Sequence, residues 1–122
     1  MPDPAILDEL IELGGLPQVL KWLDDVRTRI DAIYPAAVPT INVTDDFLAA
    51  NHTLISQAGM LGFTALSEAC RLVETSHQMG EDIEEPIRRC RVEAGRAIVG
   101  CRTFAASHAV EVVEAPRRFA VG

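Results

Sequence analysis

The chain has 122 residues, with 18 acidic against 11 basic side chains and a net charge of −7. Hydrophobic content is 48% and aromatic content 5%, so a core must come from Leu, Ile, Val and Ala, which suits packed helices better than a β-sandwich. The length fits one domain, the charge argues against nucleic acid as the main partner, and no apolar run approaches the ~20 residues of a membrane helix.

Asp3 can cap a first helix with Pro4 at its first position, and Gly14-Gly15 ends it after Leu13. Pro17 opens a second helix, VLKWLDDVRTRIDAIY, which must stop before Pro35. Within it Val19, Leu20, Leu23, Val26, Ile30 and Ile33 recur at three- and four-residue steps, an amphipathic stripe. PAAVPTIN is a connector. Thr44 begins a third helix, with Asp45 and Asp46 in the first turn, where the dipole favours negative charge.

The third helix should relax into a turn near Met60–Phe63, where Gly62 supplies freedom at positive φ. Thr64 can cap a fourth helix, ALSEACRLVETSHQ, that ends around Gly80. A last helix starts near Asp82, tolerates Pro86 in its first turn and runs to about His108. Its Ile83, Ile87, Cys90, Ala94, Ala97, Cys101, Phe104 and His108 keep a near-heptad spacing. The tail VEVVEAPRRFAVG, residues 110–122, either packs back or frays. These elements predict a single all-α domain over 1–122 with its core at about 4–109. Its expected architecture is an antiparallel up-and-down four-helix bundle with a short extra N-terminal helix.

Cys70, Cys90 and Cys101 are odd in number and fall inside helical patterns, so they read as reduced packing residues. No close Cys or His pair has a zinc-site spacing, and no metal is expected. The opening MPDPAILDEL has neither a basic leader nor a signal-peptide apolar region, so the expected location is cytoplasmic.

One residue stands apart in NHTLISQAGMLGF, residues 51–63: a lone histidine, His52, among small and apolar neighbours. Taking about 100° per residue with Leu54 at zero, Phe47, Ala58 and Leu61 fall within roughly 40° and define a buried stripe. Ile55 and Leu48 extend the apolar arc to about 120°, and His52 falls near 160°, just past its edge. The imidazole should therefore stand at the rim of the core, beside Leu48, Ile55, Ser56 and Gly59, where small side chains leave room for something bulky.

A tight turn between the third and fourth helices makes them antiparallel, which brings His52 level with about residues 71–74. Glu74 could accept a hydrogen bond from Nδ1–H, fixing the tautomer and making Nε2 more nucleophilic. Arg71 could offer positive charge to an anion attached at that nitrogen. His77, near a helix end, and His108, ending the last apolar stripe, read as structural. Arg88, Arg89, Arg91 and Arg96 read as a solvated face of the last helix.

AANHTLISQAGMLGFTALSEACRLVE resembles the phosphoacceptor segment of histidine phosphotransfer (HPt) domains, including the related first domain of chemotaxis histidine kinases. His52, Leu54, Ala58, Gly62, Phe63, Leu66 and Glu74 fall where that pattern wants them, and ILDELIELGGLPQVLKWLDDVRTRIDAIY looks like the two helices that precede the motif. The resemblance covers roughly residues 5–109. It implies that His52 relays a phosphoryl group at Nε2 between receiver-domain aspartates in a two-component phosphorelay. The domain would be a phosphoryl carrier rather than an autonomous kinase. Implied partners are a response-regulator receiver domain, which supplies Mg²⁺, and a hybrid or sensor histidine kinase. In the chemotaxis-type members a glutamate from the next helix bonds the histidine, and Glu74 holds the matching place.

Two positions depart from the family pattern. Its lysine three residues after the histidine, which helps hold phosphoryl oxygens, is Ile55 here, and the glycine that follows is Ser56. Arg71 is the candidate to replace the lysine in part. Leu48 and Ile55 are either core or, with Ser56 and Gly59, a collar that docks the partner. The alternative function is an HPt-like module that docks a receiver or kinase without carrying phosphate.

Overall fold

The computed structural model describes residues 2–108. All regular structure in this range is helical, in five elements: α1 (Pro4–Gly14), α2 (Leu16–Ile33), α3 (Asp45–Met60), α4 (Thr64–Gln78) and α5 (Glu84–Ser107). The expected tail, 110–122, and the outer core limit at 109 lie outside the described residues.

The helix boundaries follow local chemistry. Asp3 accepts a hydrogen bond from the Ala5 amide, with Pro4 in the first turn of α1, where its missing N–H costs nothing. Gly15, at φ 86°, joins α1 to α2 without a loop. The Thr44 hydroxyl caps α3 through the Phe47 amide at 3.1 Å. Thr64 behaves differently from expectation. It is the first helical residue of α4, and Phe63 occupies the cap position with no side-chain bond. The Phe63 amide instead reaches the Ala58 carbonyl at 2.8 Å, so the backbone closes the turn that a hydroxyl cap would have closed.

Gly62 makes that turn possible at φ 85°. Its carbonyl accepts from the Asp3 amide at 3.1 Å, and a Cβ on Gly62 would stand 2.7 Å from the same nitrogen. Only glycine meets both demands.

Helices α2, α3, α4 and α5 make contacts in a closed ring, each touching the next and α5 returning to α2, while α1 packs on α2. The aliphatic stripes face inward: Val19, Leu23, Val26 and Ile30 from α2, Leu54 and Ala58 from α3, Leu66, Ala69 and Val73 from α4, and Ala94 and Ala97 from α5. Tyr34 and Phe47 meet edge to face at 5.4 Å, closing the end of the core next to the connector.

Arg91 departs from the expected solvated face. It is half-buried, and its guanidinium donates to the carbonyls of Pro35, Val38 and Pro39. The two prolines leave connector carbonyls without helical partners, and a fork of N–H groups from α5 satisfies them. Arg88 and Arg96 do face solvent, paired with Glu85 and Glu93 one turn away. No described helix is long and apolar enough to cross a membrane.

Candidate functional site

α3 presents two consecutive side chains in opposite directions. Asn51 is fully buried, whereas 71% of the His52 side chain is exposed. Asn51 holds the helix in place. Its Oδ1 accepts from the Tyr34 hydroxyl at 2.6 Å, and its amide donates to the Cys70 carbonyl on α4 at 2.9 Å. Every polar atom of this buried link has a partner, so it fixes the rotation of α3 about its own axis instead of costing stability.

With α3 locked, His52 projects from its outer edge. Nδ1 lies 2.6 Å from Oε2 of Glu74 on α4, whose side chain is 28% exposed. A carboxylate accepts, so in the neutral ring this contact favours the Nδ1–H tautomer, which leaves the lone pair on Nε2. No hydrogen bond engages Nε2 among the described residues. The partners Asn51–Cys70 and Ile55–Ser67 show the two helices passing in opposite senses, which is what carries Glu74 to the level of His52.

Neither family models, curated proteins nor solved structures give a match to this chain.

The other sequence-derived candidates divide. Arg71 is exposed and sits one turn before Glu74 on the same helix, with no ion pair among the described residues. Ser56 and Gly59 are exposed one and two turns beyond His52, and Leu48, one turn before it, is half-buried. Ile55 belongs to the core and not to a docking collar: it is 7% exposed and packed in the central cluster. Its carbonyl also accepts the Ser67 hydroxyl at 2.8 Å. At about 100° from Leu54 it falls on the inner side of the helix edge. Gly59 has a second reason to be small, because a Cβ there would meet the Ser67 hydroxyl at 3.3 Å.

His77 is exposed near the end of α4. His108 stacks on Phe104 at 4.2 Å, and its Nδ1 lies 3.0 Å from the Phe104 carbonyl, a helix-end packing role. Among the described residues no three His, Cys, Asp or Glu side chains gather to hold a metal.

Sequence reasoning missed Asn51. The signal was present: the same 100° arithmetic puts it about 60° from Leu54, in the centre of the apolar arc. A polar residue at the centre of a buried stripe implies a buried partner.

Proposed function

We propose that this chain is a histidine-containing phosphoryl carrier of the HPt kind, built as an antiparallel up-and-down four-helix bundle of α2–α5 with α1 leading. The observation that carries the reading is the exposed His52 ring, with Nδ1 committed to Glu74 at 2.6 Å and Nε2 in no hydrogen bond among the described residues. Nε2 attacks the phosphorus of a receiver's aspartyl phosphate in line; the P–N bond forms as the P–O bond to the aspartate breaks. The ring then keeps its Nδ1 proton and gains positive charge, which the Glu74 carboxylate offsets. The return step runs the same path towards a second receiver.

His52 is set on a rigid helix, and its neighbours at one and two turns, Ser56 and Gly59, are small. A receiver's active-site rim can therefore approach the nitrogen closely. The acidic pocket and Mg²⁺ come with the receiver. On the carrier, Arg71 is the cation nearest in sequence to Glu74 and takes the part of the missing lysine, neutralising phosphoryl oxygens.

One observation favours a second reading, docking without phosphate. Position 55, where a phosphate-holding lysine would stand, is a buried isoleucine. Incubation with a phosphorylated receiver domain separates the two. The carrier takes up acid-labile, base-stable label on wild type and none on His52→Gln. A docking module binds the receiver and takes up no label on either.

A further inference from the structure

Cys70 on α4 and Cys90 on α5 are both fully buried, and their Sγ atoms lie 3.9 Å apart. Cys101, also free, is buried apart from them with its sulfur 3.7 Å from the Leu23 carbonyl. Two sulfurs already in contact need to close by only about 2 Å to reach disulfide bonding distance. Burial raises the Tyr34 hydroxyl well above its ordinary value, and the two thiols add to the effect. The same residue lines a surface recess of about 440 Å³ together with Ala36, Arg91, Val92 and Gly95.

The two thiols are unequal. Contact with Cys90, with burial behind it, pushes the Cys70 thiol up, while the same contact with Cys70 holds Cys90 below the ordinary thiol value.

The pair is also wired to the site on α3. The Cys70 carbonyl receives the Asn51 amide at 2.9 Å, Asn51 precedes His52, and Glu74 lies one turn beyond Cys70 on α4. A pull on Cys70 towards α5 acts on the anchor of α3 and on the helix that carries Glu74.

We propose that Cys70 and Cys90 form an oxidisable dithiol, closed to a disulfide by hydrogen peroxide, and that closure disturbs the His52–Glu74 pair. The Cys90 thiolate attacks one peroxide oxygen; the O–O bond breaks, a sulfenic acid forms, and the other oxygen leaves as water after taking a proton. The Cys70 sulfur then attacks the sulfenic sulfur, forming S–S, breaking S–O and releasing a second water. The two sulfurs lose two electrons in total, and the peroxide accepts them. An effect on phosphotransfer rests on His52 being the carrier; the sulfur chemistry does not.

The test treats the folded full chain with hydrogen peroxide, alkylates the remaining thiols and maps the peptides by mass spectrometry. The expected product links the Cys70 and Cys90 peptides with loss of two hydrogens, is reversed by dithiothreitol and leaves Cys101 alkylated. In the oxidised chain, diethyl pyrocarbonate should modify His52 at a rate several-fold different from the reduced chain. Cys90→Ser and Cys70→Ala should each abolish both changes while keeping the helical circular dichroism. Unlinked Cys70 and Cys90 after peroxide, or a linked pair with unchanged His52 reactivity, would overturn the proposal. A reduced chain that takes no phosphoryl label yet still forms the link would remove the carrier reading and leave the dithiol standing.

Discussion

The Tyr34 hydroxyl donates to Asn51 Oδ1 at 2.6 Å, tying the end of α2 to the middle of α3 one residue before His52. This buried bond, continued by the Asn51 amide to the Cys70 carbonyl, sets which way His52 points. The exposed site depends on an unexposed one.

Asn51→Ala leaves the Tyr34 hydroxyl unpaired in the core and removes one donor from the Cys70 carbonyl, which keeps its place in the α4 backbone ladder. The expected cost is about 2–4 kcal/mol, about 1–3 for the stranded hydroxyl and about 1 for the lost hydrogen bond. Tyr34→Phe strands only Asn51 Oδ1 and should cost about 1–2 kcal/mol. Urea unfolding of the two variants checks the order; equal losses would mean that the network is not shared in this way.

How much of this was legible in the sequence depends on the kind of interaction. Asp3, Thr44 and Gly62 act through their own local backbone, and each does what its position in the chain implied. The edge position of His52 and its level with Glu74 followed from helix periodicity and one tight turn. Arg91 was misread because its partners, Pro35, Val38 and Pro39, lie more than fifty residues away, and periodicity carries no information on them. Ile55 sat on the boundary angle, where neighbouring helices decide between core and surface. The contact of Cys70 with Cys90 needed the register of α4 against α5, which spacing alone does not give.

On the proposed carrier reading, Glu74→Gln keeps the size of the side chain but removes the charge that would favour Nδ1–H and a phosphorylated ring. The rate of phosphotransfer from a receiver should fall about tenfold, equivalent to ~1.4 kcal/mol in the barrier. Arg71→Ala should slow transfer or shorten the lifetime of the phosphohistidine by a similar factor. Single-turnover labelling reads both, and an unchanged rate and lifetime in Arg71→Ala would remove Arg71 from the mechanism.

Ser56→Arg places a long side chain one turn from His52 on an exposed position. The fold should be unaffected, with stability within about 0.5 kcal/mol of wild type. Receiver binding, followed by titration calorimetry, should weaken about tenfold or more. Normal affinity would place the docking surface elsewhere.

Burial pushes the Cys101 thiol from its ordinary value of 9.0 up to about 11. The unfolded chain therefore loses this proton first as pH rises, and the folded state falls behind. The stabilisation is fully present below about pH 9 and lost as pH climbs through about 11, a change of ~2–3 kcal/mol from this group. Urea midpoints across that range should decline, and Cys101→Ala should decline less steeply. Parallel curves for the two proteins would rule out Cys101 as the source.

The most direct measurement is the position of the phosphoryl group itself. After transfer from a labelled receiver, nitrogen-resolved NMR of the intact chain should find the phosphorus bonded to Nε2 of His52, with the proton retained on Nδ1. Phosphorus on Nδ1, on His77 or His108, or on no histidine at all would contradict the account.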